Sequence, residues 1–143
     1  MADNREIVCG SFELIEPVGA GGVATVWRGR HRHRDLPVAV KVITGANARD
    51  PAYHEGFRRE VQAHAGLDHP GIVTVFEYGT ISAEAARASN AELVADSPYF
   101  ALEFAGAGTL REQSRVDNWP LLRSLLLEVL DALAYAHARR VIH

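Results

Sequence analysis

The sequence predicts an α+β fold: a five-stranded antiparallel sheet carrying one amphipathic helix, followed by a small-residue linker and a long second helix. Three observations predict it. Short β-branched and aromatic runs bounded by glycine or proline recur between Phe12 and Phe104. A glycine turn, Gly19-Ala20-Gly21-Gly22, joins two of these runs with no helix after it. Two stretches, Tyr53–Ala65 and 120–138, repeat apolar residues at helical spacing.

Composition bounds the function. The chain has 143 residues, enough for one core, with 48% hydrophobic and 23% charged residues. A net charge of −3 argues against a nucleic-acid partner held by bulk charge. Cys9 is the single cysteine, so neither an intrachain disulfide nor a cysteine metal cluster is expected, and its place is in packing or in the tail. No apolar run approaches the ~20 residues of a membrane span. The polar start Met1-Ala2-Asp3-Asn4 lacks a signal-peptide core, and the expected location is cytoplasmic.

In chain order, Phe12–Val18 is the first strand, and Pro17, which cannot donate to a ladder, predicts that it lies at a sheet edge or ends pairing there. The chain after the glycines, Thr25-Val26-Trp27-Arg28, is β-branched and aromatic, which favours a strand (Val26–Arg30) over a helix. Bare backbone N–H groups at such a turn can cradle phosphate oxygens, and glycines admit positive φ there. The absence of Gly-Lys-Ser/Thr after them removes the P-loop reading. His31-Arg32-His33-Arg34 reads as a solvated hairpin tip, because no third metal ligand is near.

Pro37–Ile43 is the third strand. Alternation puts Val38, Val40 and Val42 on one face and Ala39, Lys41 and Ile43 on the other. A lysine among apolar neighbours needs an anionic partner if that face is covered. Asp50-Pro51 is a cap and first-turn pair for the helix that follows. On it Phe57, Glu60, Val61 and His64 share one face, so Glu60 is the carboxylate expected opposite Lys41. A strand over Ile72–Tyr78 follows. Residues 81–97 read as a solvent-facing insertion with a short helix at 83–95. The last strand is Pro98–Phe104. A short helical turn is expected at Leu110–Gln113, and the stripe Leu122, Leu125, Leu126, Val129, Leu130, Leu133 belongs to the long helix.

Together these stretches resemble the N-terminal half of a bacterial-type (Hanks-type) serine/threonine protein kinase domain. The resemblance is carried by Gly19-Ala20-Gly21-Gly22-Val23-Ala24-Thr25-Val26, Val38-Ala39-Val40-Lys41, Phe57-Arg58-Arg59-Glu60-Val61, His69-Pro70-Gly71-Ile72-Val73 and Leu102-Glu103-Phe104-Ala105. It implies a tail at 1–11, an N-lobe at 12–104 with the insertion 81–97, a hinge at 105–110 and the start of a C-lobe at 111–143.

The resemblance also implies roles. Val18, Gly19, Ala20, Gly21, Gly22 and Val23 would arch over the phosphates of ATP. Val26 and Ala39 would press on the adenine, and Leu102 is similar to a gatekeeper. Lys41, held by Glu60, would bind the α- and β-phosphates. The Glu103 carbonyl and Ala105 N–H would hydrogen-bond the adenine edge, and Thr109 falls at the ribose. Ala24 stands where the family has its third glycine, and His64 where it usually has an apolar residue. His143 is similar to the histidine of the His-Arg-Asp loop. Because the sequence closes there, the expectation is a piece of a larger kinase that would use ATP with Mg²⁺ on a protein substrate. No metal ligand is expected in this chain, which should be inactive alone. The alternative reading is a non-catalytic, pseudokinase-like binding or dimerisation module, with a homodimer as one form. A third is another ATP- or phosphate-binding α+β domain.

Overall fold

The computed structural model describes residues 6–112 and 118–142. Among them, six strands form one antiparallel sheet: β1 (Ile7–Cys9), β2 (Phe12–Ala20), β3 (Ala24–His31), β4 (Pro37–Ile43), β5 (Val75–Thr80) and β6 (Pro98–Glu103). Their spatial order is β1-β2-β3-β4-β6-β5. Three α-helices accompany them: α1 (Pro51–Ala65), α2 (Ala83–Ala88) and α3 (Trp119–Ala138). The α+β class and the sheet–helix order agree with expectation. No helix among the described residues is long and apolar enough to cross a membrane.

Three expectations are corrected. The stretch assigned to a tail contains β1, whose Ile7, Val8 and Cys9 pair with Leu14, Glu13 and Phe12, adding a sixth strand to the expected five. The strand expected at Ile72–Tyr78 starts at Val75, because residues 66–74 fold back toward α3. The insertion 81–97 is not solvent-facing, and its helix spans only Ala83–Ala88. Ile81, Ala85 and Leu93 are buried against Cys9, Phe12, Leu14, Trp27 and the three valines of β4. An alanine-rich stretch reads as polar filler, yet its few large apolar residues seal one side of the sheet.

Direct antiparallel partners share a face, so the register fixes two surfaces. The rear face carries Trp27, Val38, Val40, Val42, Tyr99 and Ala101, all buried. Burying each valine is worth about 1.5–3 kcal/mol. At its rim, Tyr99 donates to Glu77 Oε1 at 2.9 Å. Gly10, in the β1–β2 turn with φ +55°, lies so close to that pair that a Cβ would collide with both the carboxylate and the phenol. The front face carries Val26, Arg28, Ala39, Lys41, Phe100 and Leu102. Phe57 and Val61 of α1 pack there on Phe100 and Ile43. β2 is not an edge strand, but its pairing with β1 ends at Leu14, before Pro17, and register shifts flank the proline on the β3 side.

α3 meets the rest of the chain through residues 66–74. The Asp68 N–H donates to the Tyr135 hydroxyl at 3.1 Å. The His69 Nδ1 accepts from the Gly71 N–H at 3.0 Å, which leaves Nε2 as the proton-bearing nitrogen facing Asp131 Oδ2 at 3.0 Å. The apolar stripe is only partly covered: Leu126, Val129 and Leu130 are exposed, whereas Ala136 is buried.

Candidate functional site

The site begins with the period of β4. Its central residues Val38, Val40 and Val42 are committed to the rear core, which turns Ala39 and Lys41 to the front. Lys41 lies between Val26 on β3 and Phe100 on β6, and Ala39 lies between Arg28 and Leu102. The predicted residues Val26, Ala39, Lys41 and Leu102 are thus adjacent on one half-open surface.

α1 brings the carboxylate. Asp50 accepts from the Ala52 N–H at 2.8 Å and Pro51 opens the helix, so its first turn is fixed by sequence. Phe57 and Val61 anchor the helix to the sheet, and Glu60 between them reaches Lys41: Nζ and Oε1 are 2.7 Å apart. The ammonium also lies 5.6 Å from the Phe100 ring centroid and 6.0 Å from that of Phe57. The pair is not sealed in the interior, since the side chains are 30% and 45% exposed. Its worth to the fold is therefore about 0–1 kcal/mol, and the roughly 3–5 kcal/mol cost of breaking a buried pair does not apply. A charge pair that adds so little to stability is available to a ligand.

The glycine turn stands beside this pair. Gly19 pairs with Val26 and Ala20 with Thr25, and the Gly21 N–H donates to the Ala24 carbonyl at 2.9 Å to close the hairpin. Gly19, Gly21 and Gly22 do not adopt positive φ, contrary to the reason first given for them. A Cβ at Gly22 would meet nothing within 4 Å, and at Gly21 only the Ala24 carbonyl at 3.6 Å. Neither backbone strain nor packing demands these glycines. What they provide is bare backbone over open space, the cradle a phosphate group fits. A space of about 300 Å³ between the turn and α1 is lined by Val23, Ala24, Lys41, Tyr53, Phe57 and Glu60. Val18, at the end of β2, is exposed.

Beyond β6, the Glu103 N–H donates to the Thr74 carbonyl at 2.8 Å, and its carboxylate accepts from the Thr74 N–H at 3.3 Å. Ala105 is exposed. Thr109 and Glu112 form a reciprocal cap: the Thr109 N–H donates to Glu112 Oε2 at 2.6 Å, and Thr109 Oγ1 accepts from the Glu112 N–H at 3.3 Å. Of the helical turn expected at Leu110–Gln113, residues 110–112 form a turn closed by the Glu112 N–H on the Thr109 carbonyl at 3.1 Å; Gln113 and His143 lie outside the described residues. His64 faces α3 rather than the sheet and lines a groove with Val129, Ala132, Leu133 and Ala136. Among the described residues there is no cluster of three or more His, Cys, Asp or Glu side chains placed to hold a metal ion.

Two residues near the site were not singled out in the sequence. Arg28 shares the face of Val26 by simple alternation, and its guanidinium binds Glu16 Oε1 at 2.7–2.8 Å. Asn47, in the connection after β4, donates to the Gly22 carbonyl at 3.1 Å. Alternation could have found the first; no local pattern marks the second.

Comparison with known proteins agrees with this geometry. The family model "Protein kinase domain" matches residues 12–143. A probable serine/threonine-protein kinase of Streptomyces coelicolor is 34% identical over 138 residues, covering 94% of this chain and 19% of the relative. Serine/threonine-protein kinase PknB of Mycolicibacterium smegmatis is 36% identical over 136 residues, 92% of this chain and 20% of the relative. Serine/threonine-protein kinase PrkC of Bacillus subtilis is 27% identical over 140 residues, 95% and 19% respectively. The chain spans about a fifth of the length of these curated relatives. With strand–glycine turn–strand, a lysine on β4 and a helix-borne glutamate in one arrangement, and a family match that runs through all of them, this chain belongs to the protein kinase domain family.

Proposed function

We propose that this chain is the ATP-binding lobe of a serine/threonine protein kinase, and that the whole protein transfers the γ-phosphoryl group of ATP to Ser or Thr hydroxyls of a protein substrate. One observation carries the reading: the Lys41–Glu60 pair at 2.7 Å, half-exposed, beside a glycine turn that the fold itself does not require. Lys41 has three N–H donors. One is held by Glu60, and the others can donate to α- and β-phosphate oxygens. Gly19 to Val23 would cover the phosphates with backbone, below Val18. Val26, Ala39 and Leu102 would enclose the adenine, whose edge would bond to the Glu103 carbonyl and the Ala105 N–H. The Thr109 hydroxyl, which accepts from Glu112, keeps its own proton for a ribose oxygen.

These residues bind and orient; ATP supplies the transferable group. Binding and orienting the nucleotide is the part of the reaction proposed for these residues. In solution the wild-type chain should bind ATP, and Lys41→Met should weaken binding at least tenfold with melting unchanged within about 1 kcal/mol. Equal ATP affinity in the two proteins, measured by calorimetry, would refute the assignment. The exposed Leu126, Val129 and Leu130 of α3 favour a second reading, in which this surface pairs two copies of the chain. Sedimentation of wild type against Leu130→Glu separates the two readings.

A further inference from the structure

The connection between β4 and α1 is rich in small residues, Gly45-Ala46-Asn47-Ala48. In the structure it is a 3-10 helix, Gly45–Arg49, bonded at both ends. Toward the glycine turn, Asn47 Nδ2 donates to the Gly22 carbonyl at 3.1 Å. The β3–β4 ladder also runs on, with the Thr44 N–H donating to the Val23 carbonyl at 3.1 Å and the Thr25 and Thr44 hydroxyls 3.3 Å apart. Toward the helix, the Asn47 carbonyl accepts from the N–H of Asp50, the N-cap of α1, at 3.1 Å. His54 of α1 bonds the Ala48 carbonyl through Nε2 at 2.6 Å, which makes Nε2 the donor. A continuous path of hydrogen bonds therefore joins the tip of the glycine turn to the helix that carries Glu60.

We propose that Asn47 is a positioning residue for nucleotide binding, a strap that fixes the glycine turn relative to Lys41 and ties it to α1. This rests on the reading that the turn receives phosphates. The chemistry is local. The Gly22 carbonyl and the Val23 N–H belong to one planar trans peptide and point in opposite directions. Fixing the carbonyl on Asn47 therefore fixes the direction in which that N–H is offered. Without the strap, a turn built from Gly19, Gly21 and Gly22 samples many backbone states and must be ordered by the ligand itself. The strap also makes helix position and turn position one variable: a shift of α1 that draws Glu60 from Lys41 pulls on the turn through Asn47.

The test uses the chain with Asn47→Ala and Asn47→Asp, the second nearly isosteric and replacing the donor by an acceptor. ATP and adenosine are titrated by calorimetry, and amide exchange is followed over residues 21–24 and at Thr44. Losing one such hydrogen bond should weaken ATP about three- to tenfold and speed exchange of the turn by a similar factor, with adenosine unaffected because it lacks phosphates. Unchanged exchange overturns the strap. Faster exchange with unchanged ATP affinity overturns its positioning role, and equal weakening of adenosine overturns the link to phosphates. Wild-type chain whose ATP binding is absent or insensitive to Lys41→Met overturns the nucleotide reading itself, a result that the Asn47 variants cannot mimic.

Discussion

The two faces of the sheet come from the same strands and serve opposite ends. On the rear, Val38, Val40 and Val42 are fully buried, and residues from β1 and the 81–97 segment close over them. On the front, their neighbours Ala39 and Lys41 stay half-open, with a charge pair and an unfilled glycine turn beside them. Alternation along one seven-residue strand thus divides the work: Val38, Val40 and Val42 pack on the rear, while on the front Ala39 and Lys41 stay accessible and Ile43 packs under α1. The division explains how the front face can stay open. The rear cluster and the smaller packing of α1 on Ile43 and Phe100 carry the cohesion, so the surface around Ala39 and Lys41 need not be packed.

Three experiments would break or sharpen this contrast. Leu93→Ala, a rear-face change in the supposed insertion, should cost about 2–5 kcal/mol in urea unfolding; a cost below about 0.5 kcal/mol would make the segment decorative. Next comes pH. Burial pushes the Cys9 thiol up to about 12 from 9.0. Burial, and then the Glu77 carboxylate, push the Tyr99 phenol upward as well. In alkali the unfolded chain releases these protons while the folded chain keeps them. Stability is therefore intact below about pH 9 and falls above it, by about 1.4 kcal/mol per pH unit from Cys9 and by a similar slope from Tyr99 once the pH passes about 10. Cys9→Ala should flatten that fall, whereas a front-face change should leave it alone. The smallest stability effect is expected from Ala39→Phe, within about 0.5 kcal/mol, yet it should abolish ATP binding by filling the adenine surface. Large destabilisation by that variant would erase the distinction between the faces.

The front face was largely legible in the sequence, because its logic is local. A period of two exposes Lys41, a period of 3.6 exposes Glu60, and both are charges in apolar stripes. The succession of strands along the chain from Phe12 onward followed from the same runs. The rear cover was not legible, because it depends on pairings remote in sequence. A three-residue strand at Ile7–Cys9 has no periodicity of its own, and Leu93 gains meaning only when laid on Phe12 and Val40. The Lys41–Glu60 contact was expected from sequence, but its exposure was not, since solvent access depends on what surrounds the pair. Asn47 was invisible for a similar reason: an asparagine in a linker has many possible partners, and the fold chooses Gly22.

The corner formed by Gly10, Glu77, Gly79 and Tyr99 has a consequence for how this chain can vary over generations. The Tyr99 phenol occupies the volume that side chains at positions 10 and 79 would need. Position 79 can grow only after the tyrosine shrinks, whereas position 10 also meets the Glu77 carboxylate and needs both side chains to give way. Position 79 would then be open to small residues, whereas position 10, at φ +55°, would still admit little beyond asparagine or aspartate.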